Sequence, residues 1–82
     1  MDRFQALQVF IKVADHGGFA AAARELGLSP PGVTRAIAGL EARLASPLFV
    51  RTTRSVRLTG TGERFLDDAR RILTDLIEAE EG

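Results

Sequence analysis

Four arginines, Arg43, Arg51, Arg54 and Arg57, stand between Glu41 and Glu63 with no acid among them. A guanidinium keeps its charge and offers a planar fork of donors that fits phosphate oxygens two at a time. Upstream, Ser29-Pro30-Pro31 opens a helical pattern whose side away from the apolar positions carries Pro31, Thr34, Arg35, Ala38 and Ala42. A merely solvated helix face collects Glu, Lys and Gln, whereas this one has a single charge, one hydroxyl and otherwise small side chains. Small residues let a helix lie close against another surface. Arg35 beside Thr34 then offers donors to a phosphate oxygen or to the edge of a guanine.

Bond-making chemistry is poorly supplied by contrast. His16 is the only imidazole, and it falls at the end of a helical run, where the helix dipole favours its charge. Asp67 and Asp68 are adjacent on a helix rather than facing each other, and no glycine-rich phosphate loop follows a strand. With no cysteine and one histidine, thiolate metal sites, most zinc sites and disulfide scaffolds drop out. The expectation is a binding module with no catalytic residues, metal or cofactor.

Several elements must position these side chains. Asp2 followed three residues later by Gln5 is a capping-box pattern, and Phe4, Leu7, Ile11 and Ala14 recur at helical spacing until Gly17, so a first helix is expected from about Arg3 to His16. Phe19, Ala22, Ala23 and Leu26 make a short second helix that ends at Gly27. Ser29 is a good N-cap, and prolines are tolerated in a first turn whose N–H groups lack partners. A third helix of about 30–45 follows, with Val33, Ile37, Leu40 and Leu44 as its apolar side, stopping before Pro47. Ala23, Gly27 and Val33 have the spacing of a helix-turn-helix: a small residue where helices nearly touch, a glycine in the turn and an apolar anchor beyond it. Residues 48–59 then change period, and two short β-prone segments around Thr52-Thr53-Arg54-Ser55 read as a hairpin with Arg54 at its tip.

From Thr59 the pattern is helical again, to nearly the end of the chain. Phe65, Ala69, Ile72, Leu76 and Ala79 advance by four, three, four and three, as in a coiled-coil seam, with Leu66, Leu73 and Ile77 widening it. Arg64 with Asp68 and Asp67 with Arg71 are spaced as i,i+4 ion pairs on the remaining surface. A domain of 82 residues has a small core, and a helix of this length would extend past it with apolar side chains uncovered; a second copy is the expected cover.

Net charge is zero, which on its face argues against a nucleic-acid partner. The balance hides a division. Through Gly60 there are eight basic residues against four acidic, a net of +4, and from Thr61 three against seven, a net of −4. No apolar run approaches the roughly 18 residues of a membrane span, and the absence of cysteine makes the reducing cytoplasm the easier home.

The run Phe10…Ala14-Asp15-His16-Gly17-Gly18-Phe19…Ala22-Ala23…Leu26…Ser29…Val33-Thr34…Ile37…Leu40-Glu41…Leu44…Leu48-Phe49…Arg51…Arg54…Leu58-Thr59…Gly62 resembles the N-terminal DNA-binding domain of LysR-type transcriptional regulators of bacteria, over essentially the whole chain. The resemblance implies a mainly α fold with a small β-hairpin, a winged helix-turn-helix over 1–59 followed by a linker helix over 60–82 that pairs with its copy in a second subunit. It implies that Pro30, Pro31, Thr34 and Arg35 of the third helix reach the major groove, with Arg51 and Arg54 of the wing at the backbone or minor groove; Ser29 at the cap and Ala38 on the same outer face join them as candidate DNA contacts. Phe65, Leu66, Ala69, Ile72, Leu73, Leu76 and Ile77 would then form the dimer surface, and two subunits would read a partly palindromic operator in double-stranded DNA. Such regulators carry a further domain that binds a small-molecule effector and completes a tetramer; the expectation is that this sequence is a fragment lacking that domain, with a naturally short protein as the alternative.

Two positions depart from the family's usual pattern. Gly18 stands where a serine is common, so a hydroxyl that could cap the second helix is missing. Pro30 stands where glutamine is common and has no side-chain donor, so it can meet a base only through apolar contact, such as with a thymine methyl. A winged helix used for protein contact would instead show an apolar or acidic outer face on the third helix, and Arg35 with the wing arginines speaks against it.

Overall fold

A computed structural model describes residues 2–82 as four helices and one hairpin: α1 (Arg3–His16), α2 (Phe19–Leu26), α3 (Pro30–Leu44), β1 (Phe49–Arg51), β2 (Val56–Leu58) and α4 (Gly60–Glu81). Local chemistry sets most of these limits. The Asp2 carboxylate accepts the Gln5 N–H at 2.7 Å, the Ser29 hydroxyl accepts that of Gly32 at 3.1 Å, and the Thr59 hydroxyl accepts that of Gly62 at 2.9 Å. Each cap takes up a donor that the first helical turn leaves unpaired. Gly17 and Gly27 close α1 and α2 in the left-handed region, at φ 68° and 67°. Ala45 closes α3 in the same region at φ 53°, and it is the one non-glycine there among the described residues.

α1 runs through the middle and packs on α2, α3 and α4. Val9, Phe10 and Val13 of α1, Ala22 of α2, Val33 and Ile37 of α3, Leu48 just before β1, and Ala69 of α4 form the buried centre. Phe10 holds it together: its ring centroid lies 5.4 Å from that of Phe49 and 5.2 Å from that of Phe65, at the tilted angles aromatic pairs prefer. Ala23, also buried, leaves room for α2 and α3 to approach. Leu44 departs from the expected apolar side. The core ends a turn earlier at Leu40, so Leu44 stays 39% exposed, while Ala36 is buried instead.

β1 and β2 pair antiparallel, Phe49 with Leu58, Val50 with Arg57 and Arg51 with Val56. The hairpin joins the helices at Leu48. Its N–H donates to the Glu41 carboxylate on α3 at 2.7 Å, its carbonyl accepts the Thr59 N–H at 3.0 Å, and its side chain is wholly buried. Thr59 also donates its hydroxyl to the Pro47 carbonyl at 2.7 Å. A methyl group built on Gly62 would collide with the Leu48 carbonyl oxygen, so the first turn of α4 reaches the hairpin only because that residue has no side chain.

Outer ion pairs differ from the expected ones. Asp68 pairs with Arg71 at 3.0 Å rather than with Arg64, which reaches back to Thr61, and Arg70 crosses to Asp15 on α1. Asp67 and Arg71 form no ion pair among the described residues. Between α1 and α2, Glu25 accepts from Lys12 at 3.2 Å and faces His16 at 3.5 Å. The Lys12 hydrogen bond, followed by the charges of Lys12 and His16, holds the Glu25 carboxyl below its ordinary pKa.

Gly62→Ala is expected to cost about 2 kcal/mol or more through overpacking against a backbone that cannot retreat. Gly39→Ala, in an exposed helical position with open space around it, should instead stabilise by about 0.5 to 1 kcal/mol. Urea unfolding of both variants checks the contrast, and equal effects would contradict it. Because the folded-state pKa of Glu25 is depressed, its contribution to stability is complete above the unfolded carboxylate pKa and fades as pH falls through the lowered value. Glu25→Gln should therefore melt below the parent at neutral pH, with the gap closing in acid.

Candidate nucleic-acid interface

The outer side of α3 is built by the same periodicity that buries its inner side. Val33, Ala36, Ile37 and Leu40 point into the core, which turns Pro31, Thr34, Arg35, Ala38 and Ala42 outward, all exposed. Ser29 and Pro30 lie at the exposed start of the same face. Ser29 is partly committed: its oxygen accepts the Gly32 amide, which leaves its proton to donate outward. Arg35 makes no ion pair among the described residues. The candidate reading face is thus a shallow ridge of small side chains around one free guanidinium and one hydroxyl.

The wing arginines divide by side. Phe49 and Arg51 share the side of Leu58 and Val56, and Val50 and Arg57 take the other. Arg51 therefore leans inward, its guanidinium 4.1 Å from the centre of the Phe19 ring, a cation–π contact that pins it beside the start of α2. Phe19 in turn stands edge-on to Phe49 at 6.0 Å. Arg54 is at the tip, as its position between the strands predicts. The Thr52 hydroxyl accepts the N–H groups of Arg54 at 3.3 Å and Ser55 at 3.0 Å and so shapes the turn, while the Arg54 side chain is left exposed. At the start of α2, Gly18 is extended and supplies no side-chain cap.

α4 divides the residues read as a dimer seam into two groups. Ala69 has no exposed surface and lies in the chain's own core, so it cannot be part of a surface between copies. Phe65, Leu66 and Leu73 also pack on that core. Those three stay half-buried, as does Leu76, and Ile72 and Ile77 are 41% and 46% exposed, so all six keep surface that faces outward. Spacing alone does not tell which part of a broad apolar stripe α1 takes. Two positioning residues also escaped sequence reasoning, Phe19 beneath Arg51 and Glu41 holding Leu48. Glu41 did leave a signal, as the one acid between Glu25 and Glu63.

The sequence pattern of a family described as bacterial regulatory helix-turn-helix protein, lysR family, matches residues 4–63. The chain belongs to the LysR family. Among relatives, it is 51% identical over 70 residues to the HTH-type transcriptional regulator ClcR of Pseudomonas putida, covering 85% of this chain and 24% of that protein. The regulator DmlR of Escherichia coli K12 is also 51% identical over 70 residues, covering 85% and 23%. The chain thus spans about a quarter of the length of these LysR-family relatives, which are named as transcriptional regulators and not as enzymes. Among solved structures, the DNA-binding domain of CbnR in complex with DNA matches with a TM-score of 0.92 at 43% identity, over 99% of this chain and 92% of that one. The chain shares its winged helix-turn-helix fold with that domain. Among the described residues no helix is long and apolar enough to cross a membrane, and no cluster of His, Cys, Asp or Glu is arranged to hold a metal.

Proposed function

We propose that the chain reads double-stranded DNA as one half of a two-fold pair, with the N-terminal end of α3 in the major groove. The observation that carries this reading is the outer face of α3, free of acid and small but for the unpaired Arg35; the likeness to the CbnR domain bound to DNA supports it. Ser29, Thr34 and Arg35 supply donors, and Pro30, Pro31 and Ala38 supply close apolar contact. Pro30 restricts its base to such contact, so preference there is altered or relaxed. Arg54 at the tip meets the backbone or minor groove, and Arg51, steadied by Phe19, meets the backbone beside α2.

In this reading residues 1–59 form the reading head and 60–82 the linker helix. Phe65, Leu66, Ile72, Leu73, Leu76 and Ile77 supply the apolar surface that the first copy leaves for the second, and two heads related by a two-fold axis select a partly palindromic operator. The whole protein is a cytoplasmic transcription regulator, tetrameric, whose small-molecule effector binds outside the chain described above.

Arg35→Ala should weaken binding to the preferred duplex by about 1 to 3 kcal/mol and relax preference at one base of each half-site. Arg54→Ala should weaken all duplexes evenly and lower the log–log salt slope by about 0.9 per lost phosphate contact. Titrations of selected and scrambled duplexes at several salt concentrations separate the two; an even loss for Arg35→Ala would remove it from base reading. Leu76→Asp and Ile77→Asp should each shift the chain toward monomer, and sedimentation showing an intact dimer in both would contradict the linker surface.

A further inference from the structure

Beside the face assigned to the bases, a groove of about 430 Å3 runs between the start of α1 and α3. Arg3, Arg35 and Arg43 line it, together with Gly39 and Asp2. In a chain with as many acids as bases, none of these three arginines forms an ion pair among the described residues. The one carboxylate at the groove, Asp2, is engaged as the cap of α1.

Arg3 is the telling residue. It is the first residue of α1, in a first turn that contains no acid, and a cation there faces the positive end of the helix dipole. Local helix chemistry would place Asp or Glu at this position, and residues that break a local rule cluster at functional sites. Arg43 lies in the last turn of α3, eight residues and therefore about 12 Å beyond Arg35, comparable with the width of a major groove. At 100° per residue Gly32, Gly39 and Arg43 fall within about 40° of one another. A side chain at Gly39 would meet nothing within 4 Å, so the floor of the groove is bare and open.

We propose that this groove is a second seat for the DNA backbone, in which Arg3 and Arg43 each hold a phosphate alongside the base-reading face of α3. The proposal rests on the reading of α3 as the helix in the major groove. Arg35 borders both surfaces, so a duplex laid on α3 carries one strand's phosphates along the groove. Contacts of this kind fix register without reading sequence.

The test measures wild type, Arg3→Gln, Arg43→Gln and the double variant against a duplex selected by the wild-type chain from a random pool, and against a scrambled one, between about 50 and 200 mM salt. The double variant should bind both duplexes about tenfold or more weakly, keep its base preference, and show a salt slope reduced by about 1.8 per protomer. Thermal melting should show Arg3→Gln at least as stable as wild type, since it removes an unfavourable charge at the helix start. An unchanged salt slope in the double variant, while Arg35→Ala still loses base preference, would overturn the groove alone and leave its arginines to an acidic protein surface. Loss confined to the selected duplex would make the pair base readers and overturn the phosphate seat. A wild-type chain that binds no duplex would overturn this proposal together with the reading it rests on.

Discussion

Leu48 is the point on which the arrangement depends. One residue gives its N–H to a carboxylate on α3, its carbonyl to the residue that caps α4, and its whole side chain to the core. Hydrogen bonds to charged groups contribute about 1.5 to 3 kcal/mol, and losing the carboxylate would leave a partly buried N–H without a partner. The bare Gly62 backbone closes the same joint from the other side. α3, the hairpin and α4 are therefore joined at a single backbone position, and the arginines of the first two keep a set geometry relative to the third.

From that joint outward, the candidate site uses two degrees of order. Arg51 lies over an aromatic ring that is itself packed edge-on against Phe49, so its guanidinium is positioned before any ligand arrives. Arg54 projects from a turn whose backbone is organised by Thr52 but whose tip is exposed, and it is free to adapt. A preorganised contact sets register at little entropic cost, and an adaptable one tolerates variation in the partner's shape. Arg35 is intermediate, on a rigid helix but with an unpaired side chain.

Most of the fold was legible in the sequence because its punctuation is local. Asp2, Ser29 and Thr59 each cap the turn that follows them, and Gly17 and Gly27 take the conformation that ends a helix, so the starts of α1, α3 and α4 and the ends of α1 and α2 are marked by residues beside them. The exposure of Thr34, Arg35 and Ala38 was legible too, since one period decides both sides of α3. What depends on distant partners was not. Nothing near Arg70 announces Asp15, nothing near Phe19 announces Arg51, and the division of the α4 stripe into a part held by α1 and a part left outside is settled by tertiary packing. Ala45 is a third kind of case: its left-handed backbone is where glycine would be expected, and alanine bears a strain of about 1 kcal/mol that its identity gives no hint of.

The opposed charges of the residues through Gly60 and of α4 beyond it make the molecule, 43 Å in its longest extent, an electric dipole with no net charge. A uniform field would exert no net pull on it, but a line of phosphates exerts a torque. The basic end is turned toward the polyanion and the acidic end away during diffusion, so a larger share of encounters begins in a productive orientation. Charge placed in this way acts on the rate of arrival more than on the strength of holding, and it spares the chain the indiscriminate adhesion that a uniformly basic protein of the same size would show.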